Sequence, residues 1–242
     1  MFEGVSMKKM FAPALAGLLI LASLSVAPPR AQAQGPGLIS SILNKMDRNR
    51  RTLASMRAAI DMQKYNAQLK DVDNYRGEVQ YVAASGRDAN VRVDWVKPAQ
   101  EILAVSKGQY TLYRPRLKQA FQGATKNVGN KGGGKANNVL GFAMNMTSAQ
   151  AKSQFNVELV GEGELYKGSP HVWWLKLVPR GGAPYQFAEV WVTDDGMPIQ
   201  TRVTEKNGDA TTVRLTGIQR NPNIPMDTFD FTPPAGTKIV KG

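Results

Sequence analysis

Hydrophobic positions along this chain change period once, close to residue 54. In LISSILNKMDRNRRTL, residues 38–53, the apolar residues Leu38, Ile39, Ile42, Leu43, Met46 and Leu53 fall at helical spacings with charge on the other side. That pattern predicts an amphipathic helix. The period then drops towards two. SMRAAIDMQKY puts Met56, Ala58, Ile60 and Met62 on one side, GEVQYVA offers Val79 and Tyr81, and VRVDWV sets Val91, Val93 and Trp95 against Arg92 and Asp94. EILAVSKGQYTLYRP reads as two strands around a turn at Lys107-Gly108. HVWWLKLVP, AEVWVTDDGMPIQTRVTEKNGDATTVRL and TFDFTPP continue the alternation, with Asp195-Gly196 and Asn207-Gly208 as hairpin turns. One helix followed by roughly nine to eleven strands on short turns predicts a mainly β fold with helices. Its form is an antiparallel meander in a single sheet or open barrel.

One stretch breaks the rhythm. Gly123 to Gly134 is mostly glycine, asparagine, lysine and threonine, and it leads into Val139, Leu140, Phe142, Ala143, Met144 and Met146. Asn137 or Asn138 offers a cap for a short helix there. Gly129, four residues, Gly134 and Lys135 imitate a phosphate-binding loop, but Ala136 has no hydroxyl for magnesium. The preceding RLKQAFQGATKNV is too polar for the buried strand such a loop follows. The glycines Gly129, Gly132, Gly133 and Gly134 read instead as a hinge beside an apolar segment.

The ends set the compartment. Lys8 and Lys9, an apolar run from Met10 to Val26, and Ala31-Gln32-Ala33 have the layout of a secretory signal peptide over residues 1–33, starting at Met1 or Met7. Cleavage near Ala33 leaves one domain, 34–242, in the periplasm. There is no cysteine, so neither a disulfide framework nor a lipid-modified N-terminus is expected. The formal charge is +12; three cations and one anion leave with the signal, giving +10. In an exported protein that balance favours anionic lipid or an acidic partner patch over nucleic acid.

Catalytic chemistry finds little support. The one histidine, His171, opens HVWWLKL. Ser169 is near it in sequence, yet no nucleophile-elbow pattern surrounds that serine. Glu162 and Glu164 share a strand face and read as a charged edge; Asp194-Asp195 is turn chemistry. No metal-ligand spacing occurs and no cofactor is implied. A binder is expected rather than an enzyme. A single sheet must cover at least one face, and here the covers are the N-terminal helix and a hinged, methionine-bearing segment. Methionine adapts to irregular apolar ligands, so a pocket for acyl chains is expected.

Two segments carry a family resemblance. VRVDWVKPAQEILAVSKGQYTLYRP, within Gly77 to Tyr113 and its flank, resembles the LolA family of periplasmic outer-membrane lipoprotein carriers. FDFTPPAGTKIV is similar to that family's closing run, at Phe229, Phe231, Pro233, Pro234 and Gly236. The resemblance implies an incomplete, half β-barrel whose concave face is covered by an N-terminal helix and a helical lid. It also implies a non-catalytic, monomeric carrier. Such a carrier takes acylated lipoproteins or lipids from an inner-membrane lipoprotein-releasing transporter to an outer-membrane acceptor. The acyl-contacting set is expected among Val91, Val93, Trp95, Leu103, Val105, Leu112, Leu140, Phe142, Met144, Trp173, Leu175 and Trp191. Arg87 and Arg92 are the candidates for a lid latch. A lipid- or lipoprotein-sensing regulator on the same fold is the alternative reading.

Overall fold

The computed structural model describes residues 36–84, 89–125 and 144–241. The signal segment, Arg87, the glycine arm from Gly129 to Gly134, Leu140 and Phe142 lie outside them. Helix α1 runs from Pro36 to Thr52. Proline suits a helix start because its missing N–H would have no partner in the first turn. Arg50 and Arg51 sit in the last turn, where cations oppose the helix dipole, and Asp47 holds both at 3.0 and 3.3 Å.

Among the described residues twelve strands follow: β1 (Ser55–Asn66), β2 (Asp71–Ala83), β3 (Ala89–Lys97), β4 (Glu101–Ser106), β5 (Gln109–Arg114), β6 (Gln119–Ala124), β7 (Phe155–Glu164), β8 (His171–Pro179), β9 (Tyr185–Thr193), β10 (Pro198–Glu205), β11 (Ala210–Arg220) and β12 (Lys238–Lys241). They form one sheet in the order β12-β6-β5-β4-β3-β2-β1-β11-β10-β9-β8-β7. The order has two ends, so the sheet is open rather than closed. Every neighbouring pair is antiparallel except β12, which lies parallel to β6. A short helix α2, Ser148–Gln154, precedes β7. Thr147 caps it in a reciprocal box with Gln150.

The described residues hold twelve strands against the nine to eleven expected, and two further elements differ from the sequence expectation. The alternation of TFDFTPP predicts a further strand. The segment instead forms a 3-10 turn at Met226–Phe229 and then extended chain, because Pro233 and Pro234 have no N–H to give a ladder. Its role is cover: Phe229 is buried, and Arg92 of β3 donates to the Thr228 carbonyl at 3.1 Å. The other difference is α2 itself, which no hydrophobic period predicts.

Strand register assigns the two faces. One transverse row reads Leu159, Leu175, Val190, Thr201, Val213, Met62 and Tyr75 from β7 to β2. The row one residue along, on the opposite face, reads Trp174, Trp191, Gln200, Arg214, Asp61, Arg76 and Lys97. The first, apolar face is the inner one. Over β7–β9 it is covered by α1, whose Ile42, Leu43 and Met46 pack with Leu175, Leu177, Val190 and Val192. Met146 and Ala151 join this cluster. The β9–β10 turn fixes the helix from its side. Gly196 has φ +90°, and a Cβ there would collide with the backbone of Lys45 and Met46. Asn49 donates to the Met197 sulfur at 3.4 Å in the same place.

Candidate functional site

Over β1–β6 the inner face carries the second buried cluster, and register orders it in layers along the strands. Tyr81, Val91, Val105 and Tyr110 form the layer nearest the end of α1. Val79, Val93, Leu103, Leu112 and Phe121 form the next. Gly77, Trp95 and Glu101 begin the third, which Arg114 completes through a 3.1 Å contact between its Nε and Glu101 Oε1. Alternation along each strand puts all of these on one side. Gly77 is glycine because a Cβ would press into the Asp94 carbonyl and Trp95 Cα across the bulge between β2 and β3. That close approach holds the Trp95 ring edge-on to Tyr75, centroids 5.8 Å apart.

The structure therefore brings Val91, Val93, Trp95, Leu103, Val105, Leu112 and Met144 into one buried cluster. Met144 is the described end of the segment expected to form the lid. Met146, two residues on, packs instead with α1 and β7–β9, so this short stretch links the two clusters. Leu175 is fully buried under α1, and Trp173 packs at the margin of that cluster. Trp191 alternates with Val190 and Val192 and stacks on Trp174 at 5.2 Å and 16°, and it packs, half-buried, against the cluster of Val91, Val93 and Met144 from its margin. Arg92 points elsewhere. Its side chain leaves the face opposite to Val91 and Val93, pairs with Asp94 at 2.9 Å and reaches the C-terminal segment rather than Met144. Leu140, Phe142 and Arg87 lie outside the described residues.

Sequence reasoning missed the polar third layer. Glu101 and Arg114 share parity with Leu103 and Leu112, so alternation alone places them on the inner face. Arg114 also lies 5.2 Å from the centroid of the Phe121 ring. Burial, then the carboxylates of Asp73 and Glu101, push the Tyr75 phenol above its ordinary value, with Arg114 acting against them.

Two grooves lie beyond this cluster. One, of about 410 Å³, lies beside α1 and the edge strand β7, between Leu43, Phe155, Lys152 and Arg180. The other, of about 380 Å³, includes Asp61, Arg76, Lys97 and Arg214 of the outer row. His171 sits at the start of β8 beside a turn aspartate. Its Nδ1 is 3.0 Å from Asp194 Oδ1, which also accepts from Trp173 Nε1 at 2.9 Å. Ser169 serves a turn: its Oγ accepts from the Leu165 N–H and donates to the Pro170 carbonyl. Among the described residues no group of three or more acidic or histidine side chains is placed to hold a metal.

Solved structures share this architecture. An uncharacterized conserved protein from Thermus thermophilus aligns over 84% of this chain and 98% of its own at TM-score 0.52 and 14% identity. MucB aligns over 85% of this chain and 66% of its own at TM-score 0.56 and 16% identity. At such identities the likeness concerns the fold alone. Among curated sequences, the outer-membrane lipoprotein carrier protein of Dechloromonas aromatica is 25% identical over 158 residues, 65% of this chain and 69% of that one. The protein of the same name from Bordetella avium is 36% identical over 69 residues, and the match spans 32% of that relative. Residues 63–232 match the family described as Outer membrane lipoprotein carrier protein LolA. That match takes in β2 to β11, the whole layered inner face and the C-terminal cover, and the chain belongs to the LolA family.

Proposed function

We propose that this protein is a periplasmic carrier. In this reading it shields the acyl chains of lipoproteins, or of related lipids, against the inner face of its sheet while they cross between the two membranes. The observation that carries the reading is the convergence of Val91, Val93, Trp95, Leu103, Val105, Leu112 and Met144 in one buried cluster on an open sheet. Each methylene moved from water to such a surface contributes about 0.8 kcal/mol. A two- or three-chain ligand therefore gains more than enough to stay bound, and the harder problem is release.

Release follows if the ligand replaces contacts that the empty protein makes with itself. Met144 already fills part of the β1–β5 cluster, so acyl chains entering there would exchange one apolar contact for another. Net affinity is then a difference between two states rather than the full transfer energy. The segment Val139 to Met146 is the proposed gate, with Gly129 to Gly134 as its hinge. Signal cleavage near Ala33, a single carrier domain over 34–242, an inner-membrane transporter as donor and an outer-membrane acceptor complete the reading. Family membership supports each of them. No reaction is assigned to the protein.

Purification from the periplasm followed by mass spectrometry of the bound material tests this. Acylated protein or lipid should co-purify, and the loaded carrier should pass it to outer-membrane vesicles. A lipid-sensing regulator would bind the same material and hand none of it over, which would overturn the carrier reading in favour of that alternative.

A further inference from the structure

The inner face of β2–β5 is apolar for two layers and then, in its third, carries an opposed carboxylate and guanidinium. We propose that Glu101 and Arg114 form the polar end of the acyl site and select an uncharged, carbonyl-bearing head, an ester or amide of a fatty chain, over a free carboxylate. This rests on the carrier reading above.

Position is the first argument. Glu101 lies four residues along β4 from Val105, about 14 Å at the strand rise. Chains laid along the strands from the Val105 layer would bring their polar ends to this pair. Chemistry is the second. Arg114 Nε is 3.1 Å from Glu101 Oε1, and among the described residues that buried nitrogen makes no directed hydrogen bond. The two side chains are 32% and 26% exposed, partly desolvated but reachable. Together they present donors and an acceptor with no net charge. An ester or amide carbonyl accepts from the guanidinium, and an amide N–H donates to the carboxylate. A carboxylate head would be drawn to Arg114, but Glu101 already holds that guanidinium at 3.1 Å and meets the incoming group as a like charge. Trp95 and Phe121 wall the pair on either side, which limits how far water can screen it.

Competition against a fluorescent fatty-chain probe tests the proposal in the protein purified from the periplasm. Palmitoyl-glycinamide and palmitate are compared at about pH 8, where the fatty acid is ionised. The wild type should prefer the amide by about tenfold or more, and Glu101→Gln should reduce that preference to less than about threefold. Arg114→Gln, which leaves Glu101 unpaired, should widen it. Equal binding of the two ligands by the wild type overturns the proposal while leaving the carrier reading intact, and needs no variant to be folded. A preference that survives Glu101→Gln also overturns it, since the pair then only joins β4 to β5. Failure of the wild type to bind either ligand removes the carrier reading itself. A diacylglyceryl-cysteine peptide and dipalmitoylglycerol then separate the two sources of such a head. The tighter ligand identifies the source, and either result agrees with carbonyl selection.

Discussion

Substituting Gly196 by alanine tests how the β9–β10 turn holds α1. Two costs add at this position. The residue has φ +90°, and an L side chain in a left-handed backbone costs about 1–2 kcal/mol. The new methyl would also overlap the Lys45 carbonyl and the Met46 nitrogen, both backbone, so the helix must move. Ile42, Leu43 and Met46 are 1%, 2% and 5% exposed beneath it. Fully burying each such side chain is worth about 1.5–3 kcal/mol, and loosening a third of that contact removes about 2 kcal/mol. Gly196→Ala should therefore cost about 3–4 kcal/mol in all. Gly168→Ala isolates the first cost, because Gly168 has φ +82° and nothing within 4 Å of the added carbon. It should lose about 1–2 kcal/mol. Urea unfolding followed by tryptophan fluorescence measures both, with equal slopes licensing the comparison. If the two variants agree within about 0.5 kcal/mol, the size of ordinary surface substitutions, the turn does not brace the helix and the argument fails.

Arg92→Ala removes the bond to the Thr228 carbonyl and the pair with Asp94; a stability loss of about 1–2 kcal/mol is expected, with acyl-chain affinity unchanged within about twofold. A large affinity change at constant stability would restore Arg92 as a latch. Asp194→Asn should show a pH signature. The hydrogen bond to His171, with help from Trp173, holds the Asp194 carboxyl below its ordinary 3.8, so its contribution is present above that value and is lost as the pH falls through the folded one. The side chain is 61% exposed, so the deficit of the variant near neutrality should be well under about 1 kcal/mol and should close in acid; a deficit constant down to the acid limit of the melts would contradict it.

The strands were legible because their core positions keep strict parity. Met56, Ala58, Ile60 and Met62, or Val91, Val93 and Trp95, state a face without any knowledge of neighbours. Parity also placed Arg92 opposite to Val93, which tells against its use as a latch, yet resemblance drew attention to it. Trp191 was less legible: Val190 and Val192 hold its strand's inner positions, while Trp191 stacks on Trp174 and meets the buried cluster only at its margin. The C-terminal TFDFTPP alternates like a strand, and only its prolines and the uncovered outer surface of β3 and β4 decide against one. Helix α2 has too few residues for periodicity to speak. Its signal was the T-x-x-Q box at Thr147 and Gln150, which capping chemistry reads and hydrophobicity does not. The parallel placement of β12 depends on a partner strand more than a hundred residues earlier, and no local pattern records that.

The pairing of β1 with β11 has a kinetic consequence. Strands β1 to β6 are a local meander, and so are β7 to β11, each closed by short connections. They meet at a single seam in which Met62 lies opposite Val213, roughly 150 residues later. The two meanders can each zip from their own turns, but the seam must wait for the end of the chain and close a long loop. Contacts of such sequence separation slow folding more than they affect stability. A chain emerging N-terminus first would thus present β1 with an unpaired edge until β11 arrives. The seam is where a misfolding partner or a chaperone would find this protein, and pulsed hydrogen exchange should find the β1 and β11 amides protected last.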